Sequence, residues 1–137
     1  MTARCLLDTN VLLRLLVPDD AAQAAAAERL MAACERGEVT AVVTDLVLAE
    51  CIFVLESFYK RSRAAITAAL LPLISHPGIE TPRRAICIDA LERFQRSRLH
   101  FVDCWLVATA TADGLPLATF DRALARQPGV QAWEEKR

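Results

Sequence analysis

Short apolar runs of about four residues alternate along the chain with longer stretches in which apolar positions recur every three or four residues. The first rhythm suits strands and the second suits helices. Residues 4–7 read as a first strand, an apolar run that looks buried and ends on Asp8. Residues 9–16 predict a short helix stopped by Pro18. Asp19 and Asp20 open the next, which continues through an alanine-rich stretch to about Arg36, before Gly37. "TAVVT" (40–44) predicts a second strand, and "DLVLAECIFVLESFYK" (45–60) a helix capped by Thr44 or Asp45. A helix over 62–75 ends at "HPG", and a weak strand near Ile79 precedes Pro82 and a helix over 83–96. "FVDCWLVATATADG" predicts a helix that stops at Gly114. "LPLAT" (115–119) reads as a strand, "DRALAR" as a short helix and "VQAW" (130–133) as a last edge strand. Strands and helices alternating at this spacing imply parallel strands, right-handed crossovers and helices on both faces of the sheet. With no internal repeat, linker or low-complexity segment, residues 1–137 are expected to form a single α/β domain.

Composition narrows the class. An apolar content of 54% with 24% charged residues is that of a globular chain. No apolar stretch reaches the roughly 18 residues that span a bilayer, so no membrane association is expected. The first residues lack a basic segment followed by an apolar signal core. The five cysteines are scattered through apolar runs and form no C-x-x-C pair, so they read as small buried hydrophobes rather than zinc ligands. A reducing cytoplasm is the expected location. The net charge of −1 leaves the partner open, although all but two of the sixteen cations are arginine, the side chain better suited to phosphate.

Four acids are expected where ligands bind in parallel sheets, beyond the carboxyl ends of the strands. Asp8 follows the first strand and Asp121 follows "LPLATF"; each also serves as a helix cap, and the two roles are compatible. Glu50 is the only charged residue between Leu46 and Leu55, and its neighbours one turn away, Leu46, Phe53 and Val54, are apolar. That helix therefore reads as buried nearly all round, and a carboxylate there needs a cation, hydrogen bonds or a raised pKa. No lysine or arginine lies between Arg36 and Lys60 to pair with it locally. The plain alternative is a Glu50 that reaches solvent or a distant arginine. Asp103 stands in the first turn of its helix, where the macrodipole favours an acid, ahead of Val107 and Ala110 on the same face. Four ionised carboxylates share a small cleft only if a cation neutralises them. Oxygen ligands without His or Cys suit Mg²⁺ or Mn²⁺ over zinc. Such ions serve hydrolysis at phosphorus, the chemistry of a nuclease or phosphodiesterase.

The blocks "LLDTNVLLRLL", "TDLVLAECIFVLE", "FVDCWLVATA" and "LATFD" resemble, in order, flanks and spacing, the four motifs of PIN-domain ribonucleases, most closely the VapC-like toxin of VapBC toxin–antitoxin modules. The resemblance covers nearly the whole chain. It implies a three-layer α/β/α fold and a Mg²⁺- or Mn²⁺-dependent endoribonuclease, a type II toxin acting on RNA. A homodimer and inhibition by a VapB-like antitoxin are also implied. Carried over by position, the acidic quartet is Asp8, Glu50, Asp103 and Asp121, accompanied by the polar residues Asn10 and Thr119. Asp8 and Asp103 are then the main ligands of a first ion. Glu50 binds directly or through water and helps deprotonate the attacking water, and Asp121 orients water or holds a second ion. Asn10 and Thr119 hydrogen-bond the carboxylates or the phosphate. Cys104 and Trp105 depart from the small or aliphatic residues commoner after the third acid. Trp105 lies on a different helical face from Asp103 and is expected to pack or to meet a partner.

Other features have plainer readings beside functional ones. Arg14 and Arg122 flank the motifs, where they could hold a phosphate or acidic groups of an antitoxin; for Arg14 the alternative is pairing with Asp19, Asp20 or Glu28. Arg93, Arg96 and Arg98 could meet RNA or form a solvated face, and Asp89 to Arg93 is an ordinary i,i+4 pair. His76 and His100 have no metal-spaced partners and read as structural. Phe53, Phe58 and Tyr59 give the 45–60 helix more apolar surface than one small core absorbs, and a dimer or antitoxin interface would use the excess. A haloacid-dehalogenase-like phosphatase needs a second aspartate where Asn10 stands and a downstream lysine, yet only Lys60 and Lys136 occur. The absence of a glycine-rich phosphate loop argues against a nucleoside triphosphatase. The alternatives to a nuclease are a non-catalytic PIN-like binding module and a metal-dependent phosphatase.

Overall fold

Side chains bearing an oxygen acceptor mark where most helices begin. Asp8 precedes α1 (Thr9–Leu16), Asp20 precedes α2 (Ala21–Glu35), Thr44 precedes α3 (Asp45–Ser57) and Ser62 precedes α4 (Arg63–Ile74). Each accepts a hydrogen bond from a backbone N–H of the first turn. Such caps stabilise a helix by about 1 kcal/mol each. Helices α5 (Arg84–Arg96) and α6 (Phe101–Asp113) follow, then α7 (Arg122–Ala125), capped by Asp121. Helix α6 ends on Gly114 at φ 64°, a left-handed conformation that favours glycine.

The computed structural model describes residues 2–136. It is an α/β structure with a three-stranded parallel sheet flanked by helices: β1 (Ala3–Leu6), β2 (Val39–Val42) and β3 (Ile79–Glu80), with β2 in the middle. Cys5 lies opposite Ala41, and Ala41 opposite Ile79. Contacts group the residues into two compact units, one ending at Arg84 and the other beginning at Ala85. In the first unit α1 packs on α2 and α3, α2 on β2, α3 on α4 and α4 on β3. Leu12, Val43, Leu48, Ile52, Ile66 and Leu70 are among its fully buried side chains. Gly78 comes so close to α2 that a Cβ there would lie 2.7 Å from the Cys34 carbonyl oxygen. The second unit buries Cys87, Leu91, Phe94, Phe101, Cys104 and Val107, and the Phe94 and Phe101 rings meet edge to face, 6.2 Å apart.

Three expectations change. The first strand is not a buried one: Leu6 is 73% exposed, and the buried apolar residue is Leu7, just past the strand. Side chains alternate between faces along a strand, so Leu6 shares the side of Arg4, which pairs with Glu80 at the surface. Residues 115–119 and 130–133 do not form strands; one parallel bridge joins Leu117 to Ala132. It is held by the Leu117 N–H on the Gln131 carbonyl (2.8 Å) and the Trp133 N–H on the Leu117 carbonyl (2.9 Å). Pro116 has no N–H to extend this pairing. Helix α3 is not buried all round, since Leu46 and Phe53 are 80% and 66% exposed and Glu50 is exposed with them. Leu48, Cys51, Ile52 and Leu55 form the inward stripe. Leu46 and Phe53 each stand two positions before a member of that stripe, roughly 200° round the helix.

The cysteines behave as small hydrophobes. Among the described residues none of the five cysteines forms a disulfide, and Cys34, Cys51, Cys87 and Cys104 are buried. Burial pushes the Cys51 thiol up to about 12, with the neighbouring Glu50 charge adding to the effect. Burial raises Cys34 as well. Among the described residues no helix is long and apolar enough to cross a membrane.

Candidate active site

Asp8 and Glu50 both emerge just beyond the carboxyl ends of parallel strands, β1 for Asp8 and β2, through the start of α3, for Glu50. One residue ties them together. The Thr9 backbone N–H donates to Asp8 Oδ1 at 2.8 Å, and the Thr9 hydroxyl donates to Glu50 Oε2 at 3.0 Å. Thr9 is only 6% exposed, whereas both carboxylates are exposed. The acids are thus open to a ligand while the group that aligns them is fixed in the wall. Thr9 was not among the residues singled out from the sequence. A signal for it exists: Thr9, Leu12 and Leu13 share the buried face of α1, and a hydroxyl placed there needs a partner. Asn10 is exposed and lines a cavity beside Asp8.

Asp103 and Asp121 belong to the second unit. Asp103 lies half-buried in the first turn of α6, one and two turns ahead of the buried Val107 and Ala110. Asp121 is exposed; its Oδ1 accepts from the N–H groups of Ala123 (2.9 Å) and Leu124 (3.1 Å). Its own N–H donates to the Thr119 hydroxyl at 3.0 Å, so Thr119 bonds the backbone of the acid rather than its carboxylate. Among the described residues, no group of three or more His, Cys, Asp or Glu side chains is assembled as a metal cage. What the first unit offers is a linked pair of carboxylates. A magnesium-like ion suits such a pair, because it binds one or two carboxylates and keeps water or phosphate in its other positions.

The arginines divide. Arg14, with a side chain 12% exposed, forms an ion pair with Asp19 and donates to the Val17 carbonyl (3.1 Å) and the Tyr59 hydroxyl (3.2 Å). The Tyr59 hydroxyl in turn donates to Asp19 at 2.6 Å. Arg122 begins α7 and is exposed. Arg93 forms the expected pair with Asp89 (3.1 Å) and donates to the Pro128 carbonyl, while Arg96 and Arg98 are exposed. His76 has a structural role, its Nδ1 accepting the Gly78 N–H at 2.9 Å. Trp105 is half-buried, and its Nε1 has no hydrogen-bond partner among the described residues.

Comparison with known families decides the class, since the model of the PIN domain matches residues 5–130. The chain belongs to the PIN domain family. This PIN domain has the nuclease-type fold of that family, and its parallel sheet with flanking helices agrees with the membership. No curated protein matches the chain significantly. The match runs from β1 through the residues after α7, so all four acids and both companion residues, Asn10 and Thr119, fall within it.

Proposed function

We propose that this PIN domain is a metal-dependent endoribonuclease, with Asp8, Glu50, Asp103 and Asp121 as the acids that hold Mg²⁺ or Mn²⁺. The observation that carries the reading is the Thr9 bridge, which joins the first two of these acids beyond the strand ends in a chain that the PIN model matches. A bound divalent ion supplies a water more acidic than bulk and charge to steady a leaving oxygen. The protein's own part is to align the carboxylates and to move the proton. Glu50, exposed and held through one oxygen by Thr9, keeps its other oxygen to take the proton of the attacking water. Asp121, with one oxygen committed to two backbone N–H groups, presents its second oxygen in a fixed direction to orient water. Arg122, exposed beside it, is suited to the phosphate of the RNA.

Within this reading the protein is the toxin of a type II toxin–antitoxin pair, a homodimer restrained by a VapB-like antitoxin. The four motif blocks support that assignment, as do the exposed Leu46, Phe53 and Phe58, apolar surface of the kind an interface covers. The test is cleavage of a labelled RNA with Mg²⁺ or Mn²⁺, with EDTA, and by the Asp8→Asn variant. Cleavage should require the ion and fall at least about 100-fold in the variant, the loss expected when a metal-supported step fails. Cleavage that survives both EDTA and the substitution would sink the reading.

A further inference from the structure

Helices α1 and α2 flank an open cavity of about 380 Å³, lined by Asp8, Asn10 and Arg14 on one side and by Gln23, Ala26 and Leu30 on the other. Its size falls at the low end of the roughly 300–1,000 Å³ typical of small-molecule sites. It therefore has room for one flat ring system and a few waters.

The lining has a definite chemistry. Small apolar side chains of α2 give a smooth wall, and the amides of Asn10 and Gln23 offer donors and acceptors together, the combination that reads the edge of a base. Arg14 adds a planar cation that cannot swing away, because Asp19, Tyr59 and the Val17 carbonyl hold its terminal nitrogens. Its Nε is buried without a hydrogen-bond partner among the described residues. Unpaired bases stack on such guanidinium planes. Asp8 belongs both to this cavity and to the acid pair bridged by Thr9, so an occupant of the cavity is a neighbour of whatever those acids hold.

We propose that the α1–α2 cavity seats one unpaired base of the RNA, next to the phosphodiester that is cut, and so selects the nucleotide at that position. The inference rests on the nuclease reading for its setting, but base binding has its own measurement. In the full chain, the side-chain amide NMR signals of Asn10 and Gln23 should shift saturably on titration with at least one of the four ribonucleoside 5′-monophosphates. Ribose 5-phosphate, which lacks the base, should leave them in place.

Ala26→Phe fills the cavity from an exposed position of α2 and should weaken nucleotide binding at least about 10-fold. Gln23→Leu, which keeps the bulk and removes the amide, should change which base binds best. Three results would overturn the proposal: no base-dependent shift, a shift that Ala26→Phe leaves intact, or a cavity that takes a short peptide while ignoring every nucleotide. Base-dependent shifts in a protein that cuts no RNA would support the pocket while refuting the nuclease reading. Cleavage without any base-dependent shift would do the reverse.

Discussion

Replacing Thr9 by valine tests whether the bridge between Asp8 and Glu50 matters to the site or only to the fold. Valine keeps the branched shape in a position that is almost fully buried, and the backbone N–H on Asp8 is retained. What disappears is one hydroxyl bond to the Glu50 carboxylate. Hydrogen bonds to charged groups contribute about 1.5–3 kcal/mol, but Glu50 is exposed and water can replace the hydroxyl, so a net loss of about 1 kcal/mol is expected. For a domain of this size that lowers Tm by roughly 3–5 °C. The effect on a bound cation should be proportionally larger, because partners that orient metal ligands are worth about 10- to 100-fold in affinity. With a second carboxylate still in place, the low end applies, about 10-fold weaker Mn²⁺ binding, read by the electron paramagnetic resonance signal of the free ion. Thr9→Ser keeps the hydroxyl and should stay within about 3-fold of the parent. Equal Mn²⁺ affinity in the parent and Thr9→Val, or equal weakening by serine and valine, would refute the reasoning. A parent that binds no Mn²⁺ would remove the metal site itself.

Two further expectations concern the frame that carries the site. Gly78→Ala places a Cβ against the Cys34 backbone and should destabilise the protein by about 1–3 kcal/mol in thermal melts; an unchanged Tm would show that the end of α2 yields at no cost. The Cys51 thiol has its pKa raised from 9.0 to about 12, so between those values the unfolded chain gives up its proton first and folding stability falls as pH rises. Urea midpoints at pH 8 and pH 10 should show that fall, and Cys51→Ala should lessen it; equal slopes in the two proteins would contradict the assignment.

Helix beginnings were legible because capping is local chemistry: Asp8, Asp20, Thr44 and Ser62 carry their acceptors within reach of the N–H groups they satisfy. Endings were less so. Helix α3 was expected to reach Lys60 but stops at Ser57, and Lys60 takes a positive φ of 55° with no glycine to announce it. The outward turn of Leu46, Glu50 and Phe53 was obscured by the apolar character of their whole neighbourhood, which made a one-sided helix look surrounded. Of the candidate site, Asp8 is legible from its place after an apolar run and Glu50 as the lone charge between Leu46 and Leu55. Their connection is not, because the Thr9 hydroxyl meets a residue 41 positions away and only the crossover between β1 and β2 brings the two into range. Arg14 shows the opposite case: a partner five residues along, Asp19, was among its expected ones, and the added hold of Tyr59 became visible only once α3 was in place.

That hold gives the corner at Pro18 a mechanical property. The guanidinium of Arg14 joins the last turn of α1, the entry to α2 and Tyr59, two residues beyond α3, at a single point. Swinging the entry of α2 away from α1 would break the Arg14–Asp19 ion pair and disturb the Tyr59 hydroxyl that bonds both partners. The α1 side of the α1–α2 cleft is thus braced by an ion pair and hydrogen bonds, while the side formed by Ala26 and Ala27 carries no such tether of its own side chains.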